Sequence, residues 1–123
     1  MKVIVASGWL MASMLPGIVL AEDAGWRTVQ GKDLQSLFSD HELSDGVHYT
    51  NQFRRDGSVI GVDMGERFNG TWKVKGPCLC YAWVRPAGQN ECFGVKRRGN
   101  EVRMFQNGIE IFSGTVTRIR SPL

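Results

Sequence analysis

From Tyr49 onward apolar and polar residues largely alternate, and four short turn signals interrupt them: "RDGS" at 55–58, "KGPC" at 75–78, "RGNE" at 98–101 and "QNGI" at 106–109. Successive strand side chains point to opposite faces, so alternation between such turns reads as hairpins. Register tests each one, because a slip of one residue turns every side chain over. A turn at Asp56-Gly57 sets Phe53 opposite Ile60, Asn51 opposite Val62 and Tyr49 opposite Met64. It leaves Gln52, Thr50, His48, Gly61 and Asp63 on the polar reverse face. A turn at Gly76-Pro77 pairs Val74 with Leu79 and Trp72 with Tyr81. A turn at Gly99-Asn100 pairs Arg97 with Val102, Val95 with Met104 and Phe93 with Gln106. A turn at Asn107-Gly108 pairs Met104 with Ile111 and Gln106 with Ile109. Each register yields one mostly apolar face. The pattern predicts a mainly β fold, an antiparallel up-and-down meander of about seven to eight strands, as a curved sheet or a small barrel.

One short helix precedes the meander. Leu34, Leu37 and Phe38 follow the i, i+3, i+4 spacing of a single helical face, with Asp33 early in the helix, which places it near residues 32–39. Two turns cannot stand alone, so this helix must lie on the sheet or plug an open end of a barrel. After Ile111, Val116 and Ile119 mark a last strand, with Gly114 as a bend or bulge.

The start of the chain sets the compartment. Lys2 precedes an uncharged run, Val3 to Leu20, and Val19-Leu20-Ala21 puts small residues at the −3 and −1 positions before Glu22-Asp23. This is the layout of a secretory signal peptide over residues 1–21, leaving a single domain over 22–123. Left uncleaved, the same run could serve as a membrane anchor, the one route to a membrane that the sequence offers. Pro16-Gly17 and the lack of a following basic cluster favour cleavage. The expected location is therefore bacterial periplasm or exterior. Without Lys2 the formal charge falls from +3 to +2. That mild charge gives no reason to expect a nucleic-acid partner. Basic residues do gather from Lys96 onward: Lys96, Arg97, Arg98, Arg103, Arg118 and Arg120 stand against Glu101 and Glu110. A solvated face is the plain reading, and contact with an acidic envelope surface the sharper one.

Export changes how the three cysteines are read, since disulfides persist in oxidising compartments. Trp72, Val74, Leu79, Tyr81, Trp83, Phe93 and Val95 share the inward face, so Cys78, Cys80 and Cys92 share the other. A loop centred on Pro86 sets Cys80 opposite Cys92 while keeping Leu79 opposite Phe93, at a spacing close to disulfide range. Cys78 and Cys80, at i and i+2 on one strand, are too far apart to bond easily. The spacing favours Cys80–Cys92 with Cys78 free. A register centred on Arg85, pairing Cys78 with Cys92, preserves the same faces and competes with it. The free thiol could pack as a small residue or link two copies into a disulfide-bonded dimer. A metal site of all three thiols matches no zinc spacing, and no metal or other cofactor is expected.

The catalytic inventory is thin. His41 falls in a polar loop and His48 at a strand start; no nucleophile elbow, H-E-x-x-H, P-loop or dinucleotide fingerprint occurs. A His48–Asp63 dyad is conceivable on the outer face, yet a solvated pair on a strand is ordinarily inert. The expectation is a non-enzyme with no catalytic residue. Two binding readings remain. Trp72, Tyr81, Trp83, Phe93 and Met104 face inward and could line a pocket for a small apolar ligand, or simply fill the core. Arg103, Phe105, Phe112 and Arg118 are expected outward, where aromatics flanked by arginine make an interface for an envelope protein partner. Alternatively the N-terminal segment around Trp26 covers that face.

The stretch "LQSLFSD…YTNQFRRDGSVIG…GTWKVKGPCLCYAW…ECFGVKRRGNEVRMF" resembles small exported proteobacterial proteins of unassigned function. Those have a short helix, a "DG" hairpin, a Gly-x-Trp strand, an "LC" strand and a second cysteine on the next strand. The resemblance implies a compact exported β-domain, gives Gly70, Trp72, Leu79, Cys80 and Cys92 a structural role, and makes Cys78 an addition to the pattern. The Gly-x-Trp and the meander are also similar to calycin-type barrels, including lipocalins and barrel-shaped protease inhibitors, a likeness of fold alone. The functional expectation is a non-enzymatic interaction module of the envelope, with a calycin-like binder of a small apolar ligand or a barrel-type protease inhibitor as alternatives.

Overall fold

A computed structural model describes residues 25–85 and 89–123. The expected signal peptide and its cleavage site lie outside the described residues. Short β1 (Arg27–Val29) leads into α1 (Gly31–Phe38). Eight further strands then run up and down: β2 (His41–Ser44), β3 (Tyr49–Phe53), β4 (Ser58–Asp63), β5 (Glu66–Lys75), β6 (Cys78–Arg85), β7 (Gln89–Arg98), β8 (Glu101–Gln106) and β9 (Ile109–Arg118). Neighbours in sequence pair antiparallel from β2 to β9, and β9 returns to pair with β2, so the eight strands close into a barrel. β1 adds a ninth strand on β7, with Val29 opposite Val95 and Arg27 opposite Arg97.

The inward faces form one core. Leu43, Phe53, Val59, Trp72, Leu79, Tyr81, Phe93, Val95, Val102, Met104 and Val116 are all buried. α1 seals one end of it. Leu34, Leu37 and Phe38 are buried, and the Phe38 ring meets Phe53 edge-on at 4.9 Å. The Gly31 N–H donates to Gly76 O (2.8 Å), tying the start of α1 to the β5–β6 turn. A helix of 8 residues is thereby held by packing rather than by its own propensity.

The registers at Gly76-Pro77 and Gly99-Asn100 follow the alternation: Trp72 faces Tyr81, Val74 faces Leu79, and Val95 faces Met104. Cys80 lies opposite Cys92 and is bonded to it, with Cα atoms 4.0 Å apart, while Leu79 faces Phe93. Cys78 faces Gly94, which rules out the register centred on Arg85, and it is a half-buried free thiol.

Three local readings are corrected. The "DG" hairpin is shifted by one: Phe53 faces Val59, Asn51 faces Gly61 and Tyr49 faces Asp63. A two-residue hairpin turn of either favoured kind would need positive φ at Asp56. Only Gly57 adopts it, at 92°, and the Asp56 carboxylate instead accepts from the Ser58 N–H (2.8 Å) and hydroxyl (2.6 Å). The loop therefore spans three residues, and Asp63 turns inward. In the "NG" hairpin Gln106 does face Ile109, but a bulge beside Met104/Phe105 brings Phe112 opposite Met104. Phe112 consequently points into the barrel and Ile111 is exposed. Finally, His41 is not in a loop: it opens β2, the strand that closes the barrel.

Candidate functional site

The two ends of the barrel differ. At the α1 end the inward positions finish in long polar side chains, and a broad groove of about 700 Å³ runs between β1, α1 and β9, flanked by Arg27, Asp33, His41, Arg97 and Arg118. Most of these side chains reach into solvent, as guanidiniums at a strand end do.

The opposite end is not plugged by any described element. Past the core the barrel opens into a cup of about 390 Å³ lined by Tyr49, Asn51, Asp63, Phe68, Tyr81, Trp83, Glu91 and Phe112. Two edge-on aromatic pairs make its walls: Tyr49 with Phe112 at 5.6 Å between centroids, and Phe68 with Trp83 at 6.1 Å. Two inward glycines set the position of Trp83. A Cβ on Gly70 would lie 3.0 Å from the indole and 2.5 Å from Ala82 O, and one on Gly61 would lie 3.4 Å from the indole and 2.5 Å from Asn51 Oδ1. Neither site accepts a side chain without moving its neighbours, so the indole lies over a glycine floor.

Each carboxylate of the cup faces a tyrosine across one strand pair, Asp63 opposite Tyr49 and Glu91 opposite Tyr81. Burial, then the charges of Asp45 and Asp63, push the Tyr49 phenol up to about 12. Burial first, and then Tyr49 and Glu91, hold Tyr81 well above the ordinary value. Both phenols therefore stay neutral donors. Tyr49 spends its proton on Ser113 O (2.7 Å), whereas the Tyr81 hydroxyl is buried with no hydrogen-bond partner among the described residues. Buried polar groups are nearly always satisfied, so this orphan marks a place where something else can bond.

Of the five residues expected to line a pocket, Tyr81 and Trp83 do so. Trp72, Phe93 and Met104 lie deeper in the packed core, with the Trp72 indole N–H donating to Arg54 O at 2.7 Å. The other lining residues were missed for a traceable reason. Asp63 needed the three-residue loop at Gly57, and Phe112 needed the bulge. Phe68 and Glu91 stand at even spacing from Trp72 and Phe93 and were legible by extending the alternation one turn further.

The expected interface residues do not form one surface. Phe112 is in the cup, and Arg118 is at the far end of the barrel. Phe105 is half-buried on the outer wall under the Lys96 ammonium, 5.4 Å from its ring centre. The Arg103 guanidinium lies 4.0 Å from the Trp26 ring centre and its Nε lies 3.2 Å from a Glu110 carboxylate oxygen; Arg98 approaches the same indole at 4.7 Å. Nor does His48 pair with Asp63: its Nδ1 lies 2.9 Å from Asp45 Oδ2 in an exposed turn. That carboxylate, despite a desolvation that raises it, is held well below the usual range by the backbone N–H groups of Val47, Tyr49 and His48. Comparison with protein-family models, with curated proteins and with solved structures gave no match of any kind.

Proposed function

We propose that this protein is a binding barrel that holds a small molecule in the cup opposite α1. One observation carries the reading: the inward residues of the open end leave about 390 Å³ unfilled above a close-packed core, whereas helix α1 fills the other end. Concave, largely aromatic sites with a few polar groups are the usual form of small-ligand pockets, and the mouths of β-barrels are a usual place for them. The reading corresponds to the calycin-like alternative and needs no catalytic group. The Cys80–Cys92 bridge suits an oxidising compartment, and with the leader-like start it supports a place in the periplasm or outside the cell.

Titration with the neutral fluorophore N-phenyl-1-naphthylamine tests this. Saturable one-to-one binding, with transfer of tryptophan excitation to the dye, is expected in the wild type. Asn51→Trp, which fills the cup from β3, should abolish it with the far-UV spectrum unchanged. No saturable binding, or equal binding by Asn51→Trp, would remove the reading.

A second reading, docking to an envelope protein, has one observation in its favour. Val47, Met64, Val84, Ile109 and Ile111 are exposed on the turns and strand ends around the same mouth. An apolar ring of this kind fits a protein partner at the mouth. A partner retained from native envelope extract, and lost with Met64→Asp while dye binding persists, would favour this reading over the first.

A further inference from the structure

Around the mouth of the cup the inward residues come in a fixed order set by the strands: Tyr49 on β3, Asp63 on β4, Phe68 on β5, Trp83 on β6, Glu91 on β7 and Phe112 on β9. Carboxylates thus separate the two aromatic pairs on both sides. Neither Asp63 nor Glu91 has a hydrogen bond or ion pair among the described residues, although arginines elsewhere on the barrel pair with Asp40, Glu101 and Glu110. Beneath them lies the orphaned Tyr81 hydroxyl, whose residue is only 2% exposed.

We propose that the ligand of the cup is a small organic cation, an alkylated ammonium group, an inference that rests on the cup being a small-molecule site. Aromatic faces attract a cation that approaches within about 6 Å of the ring centre, more strongly when it is desolvated. Four such rings surround the cup, and two uncompensated carboxylates supply the counter-charge. An anion would have to enter between Asp63 and Glu91. Asp63 is exposed and Glu91 half-buried at the rim, so a neutral occupant can enter but gains nothing from the two carboxylates, whereas a cation gains their attraction. A bare metal ion fits poorly too. Hard cations take clustered oxygens, and here the two carboxylates are on β4 and β7 with aromatic side chains between them. Among the described residues no group of three or more metal-ligating side chains occurs. The raised phenols fit the same picture, since burial of the two rings and the nearby carboxylates both disfavour a phenolate there. The Tyr81 hydroxyl, buried beneath the rings, stays neutral and adds no competing charge.

Choline and 3,3-dimethylbutan-1-ol make the test, since they share one shape and differ in charge. Each is titrated against the protein loaded with N-phenyl-1-naphthylamine, and the tryptophan indole N–H signals are followed by NMR. Choline should displace the dye at roughly tenfold lower concentration or better than its neutral isostere, the ratio given by a cation–π contribution of about 1.4 kcal/mol. The double variant Asp63→Asn, Glu91→Gln should bring the two within about threefold of each other while still binding the dye. Equal displacement by the two compounds in the wild type overturns the cation, as does dye binding that choline cannot compete away; both leave the cup standing as an apolar site. Absence of any saturable dye binding removes the cup and this inference together. The wild-type comparison decides the matter even where the double variant does not fold.

Discussion

Removing the one disulfide measures how far the barrel depends on it. Cys80 and Cys92 are 12 positions apart and join β6 to β7 across the segment at 86–88. Closing a loop of that size in the unfolded chain removes roughly 9–10 cal/mol/K, or about 3 kcal/mol at 25 °C. A domain of this size is stable by only about 5–15 kcal/mol in total. Cys80→Ala with Cys92→Ala should therefore lower the urea midpoint and drop the thermal midpoint by about 12–24 °C, at roughly 4–8 °C per kcal/mol for small domains. Wild-type protein held in reductant should behave like the double variant. Cys78 is half-buried and closes no loop, so Cys78→Ser should stay within about 0.5 kcal/mol of wild type while losing any dimer on a non-reducing gel. The assay is equilibrium urea unfolding followed by tryptophan fluorescence, with equal slopes required for comparison. Unchanged stability in the double variant, or a loss from Cys78→Ser as large as from the double change, would refute the argument.

Two further outcomes follow from burial and hydrogen bonding. The chain has two tyrosines, and both phenols are held above the ordinary value of 10.0, Tyr49 at about 12. The folded state thus keeps protons that the unfolded chain releases: this stabilisation is intact below about pH 10 and is lost as pH rises through about 12. Absorbance at 295 nm should show almost no phenolate at pH 10 and a rise near pH 12 together with loss of near-UV dichroism; half-ionisation at pH 10 in folded protein would contradict the burial of both rings. Gln52, 1% exposed on the outer wall, donates to Ser121 O (2.8 Å) and accepts from the Leu123 N–H (3.0 Å). Gln52→Leu should cost about 1–2 kcal/mol and speed amide exchange at Leu123 without altering exchange in β5 to β7; unchanged exchange at Leu123 would show that the tail is held by something else.

The hairpin pattern carried the meander and the cysteine pairing, because turn chemistry and alternation agree wherever a turn has two residues, as at Gly76-Pro77 and Gly99-Asn100. It failed where one extra residue enters. The Gly57 loop and the bulge beside Met104 each shift register by one, and the choice between two and three residues depends on local hydrogen bonds such as Asp56 to Ser58 that spacing does not encode. These two slips hid Asp63 and Phe112, half of what distinguishes the cup from a core. β1 and β2 were missed because strands of 3 and 4 residues carry too little alternation to read. Gln52 was invisible for another reason: its partners are Glu42 on β2 and the returning tail at Ser121 and Leu123, contacts set by the closed barrel.

The seam between β2 and β9 has a consequence for how a damaged molecule behaves. Closure gives every barrel strand a partner on each side over at least part of its length, and β1, the added edge strand among the described residues, is 3 residues long. Such an edge is too short to template another chain. The seam itself consists of four residue pairs, His41 to Ser44 against Arg118 to Thr115. The run "IEIF" at the start of β9 lies outside the seam and, among the described residues, is paired to β8 alone. If the seam parts, the unpaired side of β9 therefore extends from Ile109 through Arg118. A short β-prone apolar run beside unpaired backbone is a template for intermolecular sheet. Aggregation of this protein under stress therefore begins at β9, and conditions that fray β2 promote it before the core around Trp72 is touched.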